Sequence, residues 1–330
     1  MKRPTWLPDD FTLLLVATVA LATLWPARDG AARFFDAFTT VAIGLLFFLH
    51  GARLSRNAIR AGVTHWRLHL LVFACTFVMF PLLGVALKPL LQPLVTPGLY
   101  AGVLFLCVLP ATVQSAIAFT SMARGNIPAA VCSASASTML GVFVTPVLVG
   151  LVVLPHAAAT NSLDSIGRIL LQLMLPFVVG HLSRPWLGAW IHRRKPILGV
   201  VDRGSILLVV YTAFSAAVIE GLWKQVPLLA LAGLLVVCAV LLGCALFLTS
   251  WFARRLGFDK ADEITIVFCG SKKSLASGIP MAKVMFPVHA VGAIVLPLML
   301  FHQMQLMVCA VLAQRYARRI EPATPGEAVV

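Results

Sequence analysis

The sequence predicts an all-α polytopic membrane protein with ten transmembrane helices. Of its 330 residues, 60% are apolar and only 12% are charged, and the mean hydropathy is +0.95. A soluble domain of this length cannot hide so much apolar surface, because much of its exterior must face water. The apolar residues also come in runs of about 20, the length that crosses the hydrocarbon core as a helix. Since each span must satisfy its own backbone in lipid, helices are expected throughout.

The ten runs divide into two halves of five, residues 1–160 and 161–330, within a single integral membrane domain. An odd number of spans places the second half upside-down relative to the first, which gives an inverted repeat. No soluble or enzymatic domain is expected, and the tail after Arg319 has the composition of a disordered segment. The expected spans are Phe11–Pro26, Phe35–Gly51, Leu68–Leu87, Gly98–Ser121, Pro128–Leu154, Ile166–Leu187, Ser205–Ile219, Val226–Thr249, Glu263–Phe286 and Val288–Ala313.

The net charge of +14 follows the expected topology rather than a nucleic-acid surface. With the N-terminus inside, 18 of the 26 Lys and Arg residues fall in cytoplasmic segments and six fall on the opposite side. This alternation is the positive-inside rule, and it predicts that both termini are cytoplasmic. We therefore expect a multi-pass protein of the plasma membrane, or of the inner membrane in a bacterium. Its macromolecular surroundings are the lipid bilayer and not nucleic acid.

Two of the expected spans are interrupted at corresponding places. Span four reads Val-Leu-Pro-Ala-Thr-Val-Gln-Ser over 108–115, where Pro110 removes a backbone donor. Span nine reads Phe-Cys-Gly-Ser-Lys-Lys-Ser over 268–274, with Gly270 before a polar run. A single break of this kind is often an ordinary kink. Two breaks 160 residues apart, close to half the chain, indicate the binding site of an inverted-repeat transporter.

Two of the 26 Lys and Arg residues belong to neither side, because Lys272 and Lys273 lie inside the ninth span. An ammonium at this depth costs several kcal/mol, so it is expected to face protein or water rather than lipid. Adjacent helical positions point about 100° apart, so the two side chains need not share their surroundings. None of the 12 acidic residues lies near a span centre. The expected partners are instead the carbonyls at the C-terminal ends of the first half-helices, while the N-termini of the second half-helices are suited to an anion.

The candidate site for substrate and ion consists of polar residues beside the two breaks and in span five. The hydroxyls of span five also have an ordinary alternative role in helix packing. No residue cluster has the spacing of metal ligands, so neither a metal nor a cofactor is expected. The candidates are Thr112, Gln114, Ser115, Ser137, Thr138, Ser271, Lys272, Lys273 and Ser274.

Several motifs resemble the bile acid:sodium symporter family, the solute carrier family 10-like proteins. They are Leu-Pro-Ala-Thr-Val-Gln-Ser-Ala-Ile-Ala at 109–118, Ala-Arg-Gly-Asn at 123–126, and Phe-Phe-Leu-His-Gly-Ala-Arg-Leu-Ser at 47–55. The run Phe-Cys-Gly-Ser-Lys-Lys-Ser-Leu-Ala-Ser-Gly-Ile-Pro at 268–280 resembles the divergent branch of the seventh human member. The resemblance implies a panel domain and a core domain, with broken spans four and nine crossing in the core. It also implies symport of an organic anion, traditionally with sodium.

The same resemblance places most of the usual sodium ligands on residues that cannot serve as such. The hydroxyls of span five fall on Ala130 and Ala134, and the carboxylate of span nine falls on Phe268. The neighbouring glutamine falls on Lys272, and the glutamine of span three falls on Thr76. Sodium is therefore a doubtful coupling ion, and proton coupling and uniport are both open.

We accordingly expect a secondary active carrier of a small organic anion that works by alternating access of the core against the panel. Lys272 or Lys273 supplies the charge, and Gln114, Ser115 and Ser271 orient the substrate. The alternative is a non-transporting membrane regulator of ion or lipid homeostasis with the same fold. An intramembrane enzyme is not expected, because no catalytic constellation is visible in the sequence.

Overall fold

The structure, a computed structural model, describes residues 10–53, 65–153 and 163–318, and every regular element in these ranges is helical. The predicted disorder after Arg319 lies outside the described residues. Short helical turns occupy Lys88–Leu91, Gln92–Leu94 and Leu222–Gln225. The longer helices are α1 Asp10–Leu24, α2 Asp29–Arg53, α3 Trp66–Ala86, α4 Pro97–Val108, α5 Gln114–Met122, α6 Ile127–Val153, α7 Leu163–Leu182, α8 Arg184–Arg193, α9 Lys195–Ile219, α10 Leu228–Arg255, α11 Lys260–Gly270, α12 Leu275–Met285 and α13 Val288–Ala317.

Six of these helices are long and apolar enough to cross a membrane: α2, α3, α6, the Ile197–Ile219 part of α9, α10 and α13. Shorter apolar helices lie in α1, α4 and α7. Large apolar side chains such as Leu24, Trp186 and Leu228 are exposed on the outside, which suits a surface that faces lipid. The protein is therefore an all-helical, polytopic membrane protein.

The sequence-based boundaries differ from the helix ends most in the second half. Helix α9 begins at Lys195, well before the predicted start at Ser205, and α7 ends at Leu182, before the predicted Leu187. Hydropathy misses the polar turns that begin α9, and it runs through the turn at Ser183 that separates α7 from α8. Helix α8 then begins with Pro185 in its first turn, a position that proline favours because no backbone donor is needed there.

Helices α1, α2, α7 and α9 pack together, and α2 with α7 forms the closest pair. Gly51 and Gly180 make that approach possible. A Cβ atom at Gly51 would lie 1.9 Å from the carbonyl oxygen of Phe177, and one at Gly180 would lie 2.0 Å from that of Phe48. Small residues at crossings let membrane helices pack backbone to backbone, so larger residues here would force α2 and α7 apart.

The remaining membrane helices surround α4, which is buried along almost its whole length. Gly102 faces α13 so closely that an added Cβ would lie 2.6 Å from the carbonyl oxygen of Ile294. Helix α9 joins the two groups through contacts with α12 and α13. An ion pair between Lys283 of α12 and Asp36 of α2 adds a polar connection. The interrupted helices α4–α5 and α11–α12 are thus held at the centre of the second group.

Candidate functional site

The structure brings the two interrupted segments into contact. Helix α4 ends at Val108 and α5 begins at Gln114, while α11 ends at Gly270 and α12 begins at Leu275. The backbone N–H of Ser274 in the second break donates to the carbonyl of Pro110 in the first, at 2.9 Å. A Cβ added at Gly141 of α6 would lie 2.5 Å from the Pro110 ring. Glycine at 141 therefore gives the first break the room it needs.

Lys273 reaches from the second break into the end of α4. Its Nζ donates to the carbonyl oxygens of Cys107 and Leu109, both at 2.8 Å, and to that of Thr76 in α3 at 2.7 Å. The side chain is completely buried, and the ring of Phe80 lies 4.2 Å from Nζ. An ammonium has three N–H donors, and each finds a carbonyl here. The partial negative charge of a helix C-terminus thus serves in place of a carboxylate.

The third carbonyl depends on a local irregularity of α3. Residues Cys75–Met79 form a π-helical turn, and Thr76 lies in it. The Thr76 hydroxyl donates to the Val72 carbonyl one turn earlier, at 2.8 Å. A π-turn shifts the backbone ladder by one residue, and such turns are frequent at functional sites. Nothing in the apolar sequence of span three signals this turn.

Gln305 of α13 holds the backbone of Lys273 in place. Its Oε1 accepts from the Lys273 N–H at 3.1 Å, and its Nε2 donates to the Lys273 carbonyl at 3.1 Å. His302 Nδ1 lies 3.0 Å from the same Nε2. Gln305 is completely buried. The sequence interpretation did not include this residue, although a lone amide in an apolar span is the kind of signal that would have indicated it.

Lys272 points to different surroundings from Lys273, although both lie in the non-helical break between α11 and α12 and not on a helix as expected. Its Nζ donates to the Ser115 carbonyl at 3.1 Å and lies 3.8 Å from the centre of the Phe119 ring. The Phe268 ring is farther away, at 5.7 Å. The Lys272 side chain is also completely buried. It therefore combines one carbonyl with the negative faces of aromatic rings, a cation–π arrangement.

Four of the other candidates lie at the breaks. Thr112 and Ser115 share a hydrogen bond of 2.7 Å between their hydroxyls. The Ser137 hydroxyl of α6 accepts from the Ala111 N–H at 3.0 Å. Ser274 caps α12 by accepting from the Ser277 N–H at 3.2 Å. These residues shape the backbone of both breaks.

The remaining three candidates are placed differently. The Ser271 hydroxyl donates to the Val267 carbonyl within α11, and that of Thr138 donates to the Ala134 carbonyl within α6. Gln114, in the first turn of α5, is exposed. The ammonium groups of Lys272 and Lys273 thus contact backbone carbonyls and aromatic rings rather than these three side chains.

Two positions that the resemblance assigns to sodium-binding hydroxyls, 130 and 134, carry apolar side chains and pack in an apolar cluster. Ala130 and Ala134 are fully buried in a cluster that includes Ile266 and Cys269. Phe268 is likewise fully buried. Ala130, Ala134 and Phe268 themselves carry no side-chain oxygen that could bind a cation.

With this geometry in place, the relationship to known proteins can be stated. The family model of the SBF-like CPA transporter family matches residues 9–318. The chain belongs to this family. The resemblance to bile acid:sodium symporters is thereby confirmed, and the protein is a membrane transporter of the symporter type.

Similar proteins are known from bacteria and animals. The "Uncharacterized protein PA2026" of Pseudomonas aeruginosa is 69% identical over 98% of this chain and 97% of its own length. The "Putative symporter YfeH" of Escherichia coli is 60% identical over 95% of this chain and 94% of its own length. The "Sodium/bile acid cotransporter 7" of Mus musculus is 30% identical over 82% of this chain and 81% of its own length.

Proposed function

We propose that this protein is a secondary active carrier of a small organic anion in which the Lys273 ammonium takes the place of a coupling sodium ion. The observation that carries the proposal is the set of three carbonyl oxygens within 2.8 Å of Nζ, at the contact of the two breaks. A transported cation at such a place neutralises the carbonyl end of a broken helix. A lysine does the same while remaining attached to the protein.

The loss of sodium ligands elsewhere supports this proposal. A sodium ion needs several oxygen ligands, and Ala130, Ala134 and Phe268 supply no side-chain oxygen. Lys273 already occupies the carbonyls at the end of α4. The names of the animal relatives include sodium, which makes the ion dependence of this chain a sharp test of the proposal.

The helix contacts support ten spans arranged as an inverted repeat of residues 1–160 and 161–330. Six long helices, the short helices α1 and α7, and the broken pairs α4–α5 and α11–α12 together supply ten crossings. The contacts also occur in pairs related by exchange of the halves. Helix α1 packs on α9 as α7 packs on α2, and α4 packs on α13 as α11 packs on α6. Such pairing is what two-fold related repeats produce.

The N-terminal end of α5 is the part of the site that is suited to an anionic substrate. Helix α5 starts at Gln114 without a side-chain cap, so its first backbone N–H groups have no such partner. Helix N-termini attract anions for this reason and through their partial positive charge. Lys272 lies beside this turn, at the Ser115 carbonyl. We propose that the anion binds at the start of α5 with Lys272 close by, and that the core moves against the panel during transport.

A two-stage experiment tests this function. Purified full-length protein is first screened by thermal unfolding against organic anions, with taurocholate included because the animal relatives are named after bile acids. A stabilising anion is then followed into proteoliposomes, with sodium replaced by choline at constant pH. Uptake should be largely unchanged. A steep, saturable sodium requirement would overturn the role of Lys273. If no stabilising anion is taken up, the alternative of a non-transporting membrane regulator is favoured.

Accumulation against a gradient separates the two coupling modes. If Lys273 also carries the coupling proton, an imposed proton gradient should drive accumulation in the wild type. Lys273→Gln should abolish this accumulation, and Lys273→Arg should retain anion binding without coupling, because arginine is not readily deprotonated. Uptake that only equilibrates the anion in every variant would indicate a uniporter with a permanently charged Lys273.

We also propose that both termini are cytoplasmic and that Lys88 and Lys224 lie on the external side. Cysteines are introduced singly at 88 and 224 in a variant that lacks the seven native cysteines. Both should react with an impermeant thiol reagent added to intact cells. Labelling of a cysteine at 193 in their place would reverse the orientation.

A further inference from the structure

A groove runs along the outside of the second helix group, and neither Lys272 nor Lys273 lines it. It has a volume of about 830 Å³ and lies between α10 and α13, with one side chain from α11. Each long helix contributes a face with the spacing i, i+1, i+4, i+5, i+8, i+9. The two faces end at the C-termini of parallel helices. The lining residues are Leu246, Phe247, Ser250, Trp251, Arg254, Arg255, Val267, Met307, Val308, Val311, Leu312, Arg315 and Tyr316.

The groove is apolar along its length and basic at one end. About half or more of the surface is exposed at three apolar residues of the groove: 67% at Phe247, 50% at Met307 and 53% at Val311. Three arginines stand where α10 and α13 end. The span from Phe247 to Arg255 covers about 12 Å of helix at 1.5 Å per residue. This length extends from the membrane surface well into the hydrocarbon region.

The arginines at this end are not neutralised equally. Arg254 donates to Glu263 at 2.9 Å, and Lys260 donates to the same carboxylate at 2.8 Å, so two cations share this acid. Arg255 and Arg315 are exposed and form no ion pair within the described ranges. Arg255 and Arg315 therefore add two positive charges to the groove end that no described ion pair balances.

We propose that this groove is a binding site for an anionic phospholipid. An acyl chain would lie along Phe247, Val308 and Val311, and the phosphate of the headgroup would contact Arg255 and Arg315. Basic pockets between transmembrane helices at the membrane surface bind anionic headgroups in this way. Trp251 and Tyr316 lie one turn or less from the arginines, at the level where amphipathic aromatic rings favour the interface. A water-soluble partner is not expected here, because the groove lining is apolar and extends into the hydrocarbon region.

Native mass spectrometry of the delipidated full-length protein tests the site. The protein is titrated with phosphatidylglycerol and with phosphatidylcholine of matched chains. One phosphatidylglycerol should bind more tightly than any phosphatidylcholine. Arg255→Gln with Arg315→Gln should weaken that binding about thirtyfold, at about tenfold for each 1.4 kcal/mol and about 1 kcal/mol per arginine. The control pair Arg194→Gln with Arg203→Gln, also exposed but outside the groove, should have no effect.

A second variant tests the groove apart from its charge. Val311→Trp fills the apolar wall and keeps every arginine, and it should also weaken phosphatidylglycerol binding. Equal affinity for phosphatidylcholine would overturn the headgroup assignment. Displacement of the lipid by glycerol phosphate at similar affinity would indicate a site for a soluble anion instead. A change from dimer to monomer in Val311→Trp would show that a second copy of the chain occupies the groove.

Discussion

Lys272 and Lys273 are neighbours in the sequence, equally buried, and differently surrounded. Lys273 is held by three backbone carbonyls and one ring, whereas Lys272 has one carbonyl and a stack of aromatic faces. Gln305 binds both backbone groups of Lys273. The difference separates two roles. Lys273 pairs with the free backbone carbonyls at the end of α4, and Lys272 places a positive charge beside the start of α5.

This contrast also shows how a membrane protein stabilises a buried cation without a carboxylate. Leaving a buried polar group unpaired costs about 1–3 kcal/mol, so Lys273 and its three carbonyls depend on one another. Lys272 relies more on ring quadrupoles, which are weaker and less directional. Substitution at the two positions should therefore have unequal consequences.

The largest expected effect is that of Lys273→Met. The variant leaves three carbonyls of Thr76, Cys107 and Leu109 without the ammonium, and we expect it to lose about 3 kcal/mol of stability. Lys272→Met is the matched control, since it removes the same group from the same span, and its loss should be about 1 kcal/mol. Thermal unfolding in detergent measures both. Equal losses would remove the distinction drawn between the two lysines.

Gln305→Leu should have the next largest effect, about 2 kcal/mol, because the backbone N–H and carbonyl of Lys273 both lose a buried partner. Gln314→Leu on the same helix is the control, and it should change stability by less than about 0.5 kcal/mol. The transport assay adds a second readout, in which Gln305→Leu should lower uptake as Lys273→Met does. A Gln305→Leu protein with wild-type stability and uptake would show that the amide is dispensable.

Lys273→Ser should convert the site from a tethered cation to a free one. Removing the side chain exposes three carbonyl oxygens and adds a hydroxyl, so sodium should now stabilise the protein where choline does not. Sodium at a few times its dissociation constant should add about 1 kcal/mol. Lys272→Ser should gain no such response. If neither variant responds to sodium, the carbonyls at the end of α4 are not a latent cation site.

The smallest expected effect concerns Phe119. A double-mutant cycle of Phe119→Leu with Lys272→Met should give a coupling energy of about 1 kcal/mol, from the ring lying 3.8 Å from Nζ. The cycle of Phe119→Leu with Lys273→Met should give a value near zero. Similar coupling in both cycles would mean that the two lysines share one environment.

Much of the fold could be predicted from the amino-acid sequence. Apolar runs such as 228–255 are visible as spans because hydrocarbon thickness sets their length. The matching positions of Pro110 and Gly270 indicated a binding site, and the family resemblance implied that the two breaks cross. The start of α9 was misplaced because polar turns extend this helix without an apolar signal, and the end of α7 was misplaced because apolar residues continue beyond it into α8.

The site itself was only partly predictable. The sequence alone determined that two lysines lie too deep to leave the protein and that no acid is near them, because depth and composition follow from the chain. It did not determine which lysine meets the carbonyls. The partners of Lys273 are 164 to 197 residues away, and one of them depends on a π-turn in α3. The two lysines lie in the non-helical break between Gly270 and Leu275, where no helical period sets their directions, so only the packing of α3, α4 and α13 around this break decided between them.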